Sequence, residues 1–415
     1  MKIAYLAPEI PALSATFVYK EILTLKTLGT EVVPFSVHRP SVVAGEAELE
    51  DLKQDVIHLY EAAKWAVFIA HLYLLLRHPL RYLSSLSKLI QDMVSVGLFS
   101  RNALGLVFRY FYAASLAKQL LQQQCQHIHV HFAHVPTDIA MYASALSGVS
   151  YSVTAHANDI FERGWLLKQK VARSAFFATI SEFNKRYLSE IGVDASKLKI
   201  VRCGVDDTQF ERRAEFVSGD KIKVGVVGRL VEKKGIDTLI LSIKELKQQK
   251  QNIALYIAGS GPLDDELTTL VKECGLNKQD VVFLGALPNG QVAEFISSLD
   301  VFVLPCKMDI NGDMDGIPVV LMEAMLSGVP VISTKISGIP ELVIDRETGL
   351  LVKPDNADEL ASAISNMTHD DVLRDGLIQG AVEVVTKHFS LMGNTRSLNE
   401  MFKTIIAADN KEKGM

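Results

Sequence analysis

DGIPVVLMEAMLSGVPVIS (315–333) is the stretch from which the architecture unfolds. Pro318 suits the first turn of a helix, because it has no amide hydrogen to lose. Gly328 suits the position just past a helix end, and Pro330 follows as a stop. The spacing predicts a helix over 317–327, running into the strand-like PVIS beyond it. Its exposed amides near 316–319 could hold a pyrophosphate or a sugar oxygen. Asp315 stands just before them, and Glu323 about one and a half turns in. A carboxylate at 323 can accept bonds from two adjacent ribose hydroxyls. Asp315 also reads as a simple helix cap. Glu323 lies in the otherwise apolar run VVLMEAML, where a merely solvated glutamate is less natural.

Upstream of this helix the same strand-then-helix rhythm repeats. IKVGVVGRL (222–230), IALYIAGSG (253–261), VVFLGAL (281–287), VFVLPC (301–306) and PVISTKI (330–336) read as strands. Helical patterns over 235–250, 263–274 and 290–298 fill the gaps. A second set of strands comes earlier: KIAYLAP (2–8), EVVPFSVH (31–38), IHVHFAH (128–134), YSVTAHA (151–157), AFFATIS (175–181) and KLKIVRCGV (197–205), with a helix over 17–29. Most of these runs are apolar on both faces, as in parallel sheets covered on two sides. The reading is α/β, with two Rossmann-like doubly wound domains. ERRAEFVSGDK (211–221) reads as the linker. The expected domains are 1–215, 216–385 and a C-terminal helix over 386–415 that crosses back to the first.

Residues 57–125 break the rhythm and read as a helical insertion in the first domain. WAVFIAHLYLLL (65–76) is apolar but too short to span a bilayer. Across 64–118, Lys64, Arg77, Arg81, Lys88, Arg101, Arg109 and Lys118 stand against one acid, Asp92. Trp65, Phe68, Tyr73, Tyr82, Phe99, Phe108, Phe111 and Tyr112 share the segment. Two readings are open: a face that lies on anionic lipid, or aromatics that are simply core.

The 415 residues are 48% hydrophobic and 22% charged, ordinary for a globular chain. The net charge of −5 is split unevenly, +3 over 1–215 and −8 over 216–415. No strongly basic footprint points to nucleic acid. Cys125, Cys203, Cys274 and Cys306 form no CxxC pair, so a disulfide framework is not expected and a reducing cytoplasm fits. The opening MKIAYLAPEI lacks the long apolar core of a signal peptide.

Ligands of open α/β sheets bind beyond the carboxyl ends of the strands, so a cleft between two such domains is expected. In GRLVEKKG (228–235), Arg229 and Lys234 are placed to share an anion near a helix start; a solvated basic loop is the plainer reading. No GxGxxG or GxxxxGK[ST] pattern occurs. AGSGP (258–262), with Gly261, is a glycine turn that in itself only redirects the chain. In TAHANDIF (154–161), His156 falls where the chain leaves the sheet. His127, His129 and His131 alternate onto one strand face, with His134 beyond. Three histidines suit zinc, but a polar strand end beside a cleft suits the run equally.

Together GRLVEKKG, AGSGP, VVFLGAL, DGIPVVLMEAMLSGVPVIS, SGIPELV (337–343) and TGLLVKP (348–354) resemble the family-4 retaining glycosyltransferases of the GT-B fold, over most of 222–355. HVHFAH, TAHANDIF and LSATFVYKEI (13–22) resemble members that build exopolysaccharides such as colanic acid. The family's acidic pair, two glutamates eight residues apart, stands here as Asp315 and Glu323. The first loop, PEIPALSATF (8–17), has no glycine where many members are glycine-rich.

The resemblance implies a fold, two domains facing a cleft, and a set of roles. Arg229 and Lys234 would hold the diphosphate of a nucleotide-sugar donor. Glu323 would bind ribose, and backbone near Leu284 the base. Asp315, Gly316 and Ile317 would grip the sugar, with Gly261 beside the donor. His156 would touch the sugar from the opposite domain. Ser14, Thr16, His131 and His134 would line the acceptor side. The expected acceptor is lipid-linked or an oligosaccharide, and the expected outcome is retention of configuration. Neither a cofactor nor a metal is expected, since Arg and Lys replace a divalent ion at the donor. Two alternatives stand beside this reading: a non-catalytic nucleotide-sugar or glycan-binding subunit, and a nucleotide-sugar epimerase on the same fold.

Overall fold

The computed structural model describes residues 1–12, 15–40, 47–210 and 221–414. The chain divides into two compact units. The first holds Met1–Ile180, Asn184–Arg202 and Met392–Met415; the second holds Ser181–Phe183 and Cys203–Leu391.

In the first unit, strands β1 (Lys2–Ala7), β2 (Glu31–Ser36), β3 (Ile57–His58), β4 (His127–His131), β5 (Ser150–Ala155), β6 (Phe177–Thr179) and β7 (Leu198–Ile200) pair in parallel. Their order is β3-β2-β1-β4-β5-β6-β7. The order reverses between β1 and β4, which makes the carboxyl ends of those two strands the switch point. Side chains alternate across the sheet. Ala4, Leu6, Ile128 and Val130 enter one apolar core; Ile3 and Tyr5 enter another, on the opposite face. Helices α1 (Thr16–Thr27) and α2 (Ala47–Asp55) join β1, β2 and β3.

Three helices separate β3 from β4, as the insertion reading expects: α3 (Lys64–Arg77), α4 (Pro79–Ser95) and α5 (Arg101–Gln122). Pro79 opens α4, and the Ser100 hydroxyl caps α5 by accepting from the Ala103 amide. Ala113, Ala114, Leu116, Ala117 and Leu120 of α5 are buried, so this helix covers the sheet rather than hanging from it. Four further helices follow: α6 (Val135–Ser147), α7 (Asn158–Phe161), α8 (Leu167–Arg173) and α9 (Glu182–Glu190).

The second unit repeats the plan with β8 (Ile222–Val227), β9 (Ile253–Ala258), β10 (Val281–Gly285), β11 (Val301–Leu304), β12 (Val331–Thr334) and β13 (Leu350–Val352), in the parallel order β10-β9-β8-β11-β12-β13. Here the switch point lies between β8 and β11. The helices are α10 (Ile236–Gln248), α11 (Asp264–Glu273), α12 (Asn289–Ser297), α13 (Val319–Leu326), α14 (Ala357–His369) and α15 (Asp371–His388). One apolar cluster binds all of them. In α13, Pro318 is the capping residue rather than a member of the first turn, and Gly328 takes the left-handed φ of +72° that ends the helix. β13 and β3 are additions to the strands read from the sequence.

The last helix, α16 (Leu391–Gly414), joins the first unit, and its Phe402 packs on the rings of His127 and His129. The unit boundary falls between Arg202 and Cys203, ahead of the expected 215; of the linker read over 211–221, residues 211–220 lie outside the described residues.

Candidate functional site

In the second unit Arg229 and Lys234 lie on the loop after β8, and Asp315, Gly316 and Ile317 on the loop after β11, at the switch point; Gly261 follows β9, Leu284 is in β10 and Glu323 in α13. Three backbone ties hold these loops in place. Leu230 N–H donates to the Ser260 carbonyl at 3.0 Å, Gly228 N–H to Ala258 at 3.0 Å, and Lys307 N–H to Lys233 at 2.9 Å. Gly261 earns its identity here: a Cβ on it would stand 2.4 Å from the Leu230 carbonyl oxygen. Its demonstrated part is this close approach.

Arg229 is exposed, and its guanidinium has no ion pair among the described residues. Lys234 is different. It does not lie solvated beside an opening, as the basic-loop reading expects. Its Nζ is 2.7 Å from Asp315 Oδ2, and the two side chains are only 15% and 14% exposed. Lys233 adds a second cation at 3.6 Å, itself held by Asp313 at 2.7 Å. The Cys306 thiol donates to Asp315 at 3.3 Å. Burial works against both charges, yet each outweighs it for the other. Lys234 lies above its ordinary value through Asp315, and Asp315 below its own through Lys234 and Lys233. Asp315 is therefore a paired carboxylate and not a cap; α13 begins with no side-chain cap at all. Gly316 and Ile317 are buried just before that uncapped turn. Glu323 is half-buried one turn further in, and Leu284 is 40% exposed near the end of β10.

The histidine strand belongs to the first unit. His127, His129 and His131 share one face of β4, as alternation requires, but that face is core: they are 0%, 0% and 1% exposed. Their partners are the protein's own hydroxyls. Ser150 donates to Asp409 at 2.6 Å, so its oxygen accepts from His127 Nδ1 at 2.8 Å. His127 Nε2 then accepts from Ser152 at 2.7 Å. Ser152 accepts in turn from His129 Nδ1 at 2.9 Å, and His129 Nε2 accepts from Thr154 at 3.1 Å. Neutral imidazoles fit this ladder. Burial pushes His127 down to about 3 and holds His129 well below its ordinary value.

HVHFAH as a set of glycan-binding groups is thus corrected. His131 is enclosed by Tyr5, Glu21 and His156. His134 caps α6, its Nδ1 accepting from the Val135 amide at 2.8 Å, and burial pushes it down to about 3. Thr16 is half-buried at the start of α1; Ser14 lies outside the described residues. His156 follows β5, 7% exposed, beneath the rings of Phe17 and Phe132 at 4.7 and 4.5 Å.

The sequence shows no carboxylate near the histidines, but the fold supplies one. Glu21, His129 and His131 bring ligand atoms within 4.8 Å of one another, the place where this chain would hold a metal. Glu21 is a residue that sequence reading missed. Its signal is its position among Val18, Ile22 and Leu25 on the buried stripe of α1, where a glutamate is out of character.

Two family models match along the chain: Glycosyltransferase Family 4 over residues 89–209, and Glycosyl transferases group 1 over 207–384. The two matches adjoin near residue 208. The WcaL protein of Salmonella typhimurium, assigned to colanic acid biosynthesis as a glycosyltransferase, is 36% identical over 242 residues, covering 57% of this chain and 59% of that protein. The amylovoran biosynthesis glycosyltransferase AmsK of Erwinia amylovora is 31% identical over 222 residues, covering 52% and 54%. The match thus spans less than two thirds of either relative. Sucrose-phosphate synthase from Thermosynechococcus elongatus superposes with a TM-score of 0.75 at 19% identity, over 98% of this chain and 100% of that one. HepE from Anabaena, in complex with UDP-glucose, superposes at 0.72 and 17%, over 97% and 100%. The fold is GT-B, and the switch-point loops of the second unit fall within the group 1 match.

Proposed function

We propose that the chain is a metal-independent retaining glycosyltransferase. It would move a sugar from a nucleotide-sugar donor onto a lipid-linked or oligosaccharide acceptor in exopolysaccharide or cell-surface glycan synthesis, on the cytoplasmic side. One observation carries this reading: Arg229, exposed and without an ion pair among the described residues, on the same loop as the Asp315-paired Lys234, at a sheet switch point within the group 1 glycosyltransferase match. Glycosyl transfer passes through an oxocarbenium-like centre and a departing diphosphate. Arg229 would take the diphosphate bidentately. Lys234, already oriented by Asp315, would add charge where the leaving group becomes negative. Glu323 would accept from ribose, Leu284 backbone would meet the base, and Asp315, Gly316 and Ile317 would hold the sugar beside Gly261. His156 would bond the transferring sugar, and Thr16 would lie toward the acceptor.

A panel including UDP-glucose and GDP-mannose, with and without polyprenyl-linked acceptors and with chelator, tests the reading. Transfer with retained configuration, unaffected by chelator, is expected. Donor binding with no turnover would make the chain a binding subunit, and donor interconversion without acceptor would make it an epimerase.

The insertion supports a membrane-surface location. Among the described residues no helix is long and apolar enough to cross a bilayer. Yet Trp65, Phe68, Leu76, Leu80, Phe99 and Leu104 are each more than 60% exposed. Large apolar side chains exposed together on the helices of one insertion are the kind of surface that marks an interaction site. Lys64, Arg77, Arg81 and Arg101 are exposed as well, whereas Asp92 is buried against Arg173 at 2.7 Å. Each basic group would add about 1 kcal/mol at an anionic surface. Tyr112 is buried and Tyr73, Tyr82 and Phe111 half-buried, so part of the aromatic set is core. Flotation with anionic liposomes at low salt is expected to carry the protein; failure to float removes the membrane from the proposal.

A further inference from the structure

Just beyond β12 the chain of the second unit turns sharply. Ile339 N–H donates to the Ile336 carbonyl at 3.1 Å. Between them stand Ser337, with φ +51°, and Gly338, with φ −84° and ψ −3°. Those φ signs belong to a type II′ turn, whose first central position favours glycine. Here the serine takes the strained place and the glycine the easy one.

Space explains Gly338. A Cβ on it would stand 2.8 Å from Ser181 Cβ and 2.9 Å from Ile317 Cγ1. The turn therefore packs directly on the residue before Pro318 and the uncapped start of α13. The Phe183 amide, in the same unit, ties the far side of the turn by donating to Glu341 at 3.0 Å. Nothing of this kind explains Ser337. It is 9% exposed, and its hydroxyl has no hydrogen-bond partner among the described residues. A buried hydroxyl left without a bond destabilises the chain, and so does the positive φ beneath it. Glycine at 337 would remove both penalties.

We infer that Ser337 is a specificity-determining residue for the donor, and that its hydroxyl bonds a hydroxyl of the sugar. Strained backbone and unsatisfied polar groups collect where a ligand supplies the missing partner. The place fits. Ligands of open α/β sheets sit beyond the carboxyl ends of the strands, and this turn leaves β12 at that end, against Ile317. The chemistry fits as well. A serine hydroxyl both donates and accepts, as a sugar hydroxyl does, whereas an ionised phosphate oxygen only accepts. Rotation of Ser337 about its Cα–Cβ bond breaks no side-chain hydrogen bond among the described residues, so the group is free to swing toward the sugar. The inference rests on the reading that Asp315, Gly316 and Ile317 hold the sugar, and it adds the residue that tells one sugar from another.

Calorimetric titration of the full chain with UDP-glucose and GDP-mannose, beside UDP and GDP, tests the inference through Ser337→Ala and Ser337→Gly. Both variants should bind the nucleotide-sugar that the wild type prefers about 3–10-fold more weakly, the loss of one neutral hydrogen bond. The matching nucleoside diphosphate should bind all three proteins alike. Deoxy analogues of the preferred nucleotide-sugar locate the bond. The analogue without the contacted hydroxyl should lose about the same 3–10-fold against the wild type and nothing further against Ser337→Ala. Ser337→Ala should melt within about 2 °C of the wild type, because the hydroxyl it removes bonds nothing in the free protein. Nucleotide-sugar binding unchanged in both variants overturns the inference. So does an equal weakening of the diphosphate, which puts the hydroxyl on phosphate, or a Ser337→Ala protein that melts well below the wild type, which gives the hydroxyl a partner inside the fold. A wild-type chain that binds neither nucleotide-sugar nor diphosphate overturns the donor reading itself, and this inference with it.

Discussion

Replacing Lys234 by alanine removes one half of an ion pair whose atoms meet at 2.7 Å and whose side chains are about one-seventh exposed. Asp315 is then left as a charge with poor access to water. Removing one partner of a buried pair costs about 3–5 kcal/mol. Lys233, 3.6 Å from the other Asp315 oxygen, offsets part of this. A loss of about 2–4 kcal/mol is expected. At about 2–4 °C per kcal/mol for a unit of this size, the second unit should melt roughly 4–16 °C lower. Asp315 is held low, so the pair's contribution is complete above the ordinary carboxylate value of 3.8 and fades as pH falls through the lowered one. Lys234 is held high, so the contribution is complete below 10.5 and fades only above it. The loss should therefore be constant from about pH 5 to 9. Calorimetry gives the melting temperatures. Both tryptophans, Trp65 and Trp165, lie in the first unit, so fluorescence identifies the transition that is not the second unit's. Lys234→Met with Asp315→Leu should recover most of the loss, since a well-packed apolar pair is close to neutral. A melting point for Lys234→Ala within 1 °C of wild type, about the noise of such a scan, would refute the pairing and return Lys234 to the role of a solvated clamp.

Arg229→Ala should leave stability within about 0.5 kcal/mol while weakening nucleoside diphosphate binding by about 1.5–3 kcal/mol in calorimetry. Arg229→Lys should restore only part of it, because the planar fork is lost. Gly261→Ala should destabilise the second unit by about 1–3 kcal/mol, read by thermal denaturation, because the new methyl meets the Leu230 carbonyl. His127 and His134, at about 3 when folded, take up protons on unfolding at any pH below about 6.5. The first unit should thus be at full stability above pH 6.5 and lose up to about 1.4 kcal/mol per pH unit for each as pH falls toward 3. Tryptophan fluorescence across that range checks the slope.

Much of the fold was legible because parallel strands covered on both faces have a plain signature. VVG after IKVG and FVLPC after DV need no partner to be read as buried strands. α13 was bounded to within two residues because Pro318 and Gly328 act through their own backbones. β3 escaped because a run of two residues carries no period, and β13 because its three residues were read only as part of the TGLLVKP motif. The donor loops were found by position, since strand-to-helix turns are where such sheets bind. What sequence could not give was pairing across the chain. Asp315 is a cap by local spacing and an ion pair only once β11 lies beside β8. The histidine strand misleads for the same reason. Alternation set three rings on one face, but Ser150, Ser152 and Asp409, which satisfy them, come from β5 and α16.

That last helix has a consequence for synthesis. Thr30 bonds Asn399 across 369 positions, and Phe402 closes the core over Tyr5 and the histidines. Meanwhile Val205 and Leu391 pin the two ends of the second unit to each other through paired backbone bonds. On the ribosome the second unit has all its strands once residue 391 has emerged, while one face of the first sheet still lacks the part of its cover that α16 supplies. The part translated later is thus complete earlier. The first unit waits with the His127 and His129 rings short of the Phe402 that packs on them, and that waiting face is where a chaperone has something to hold.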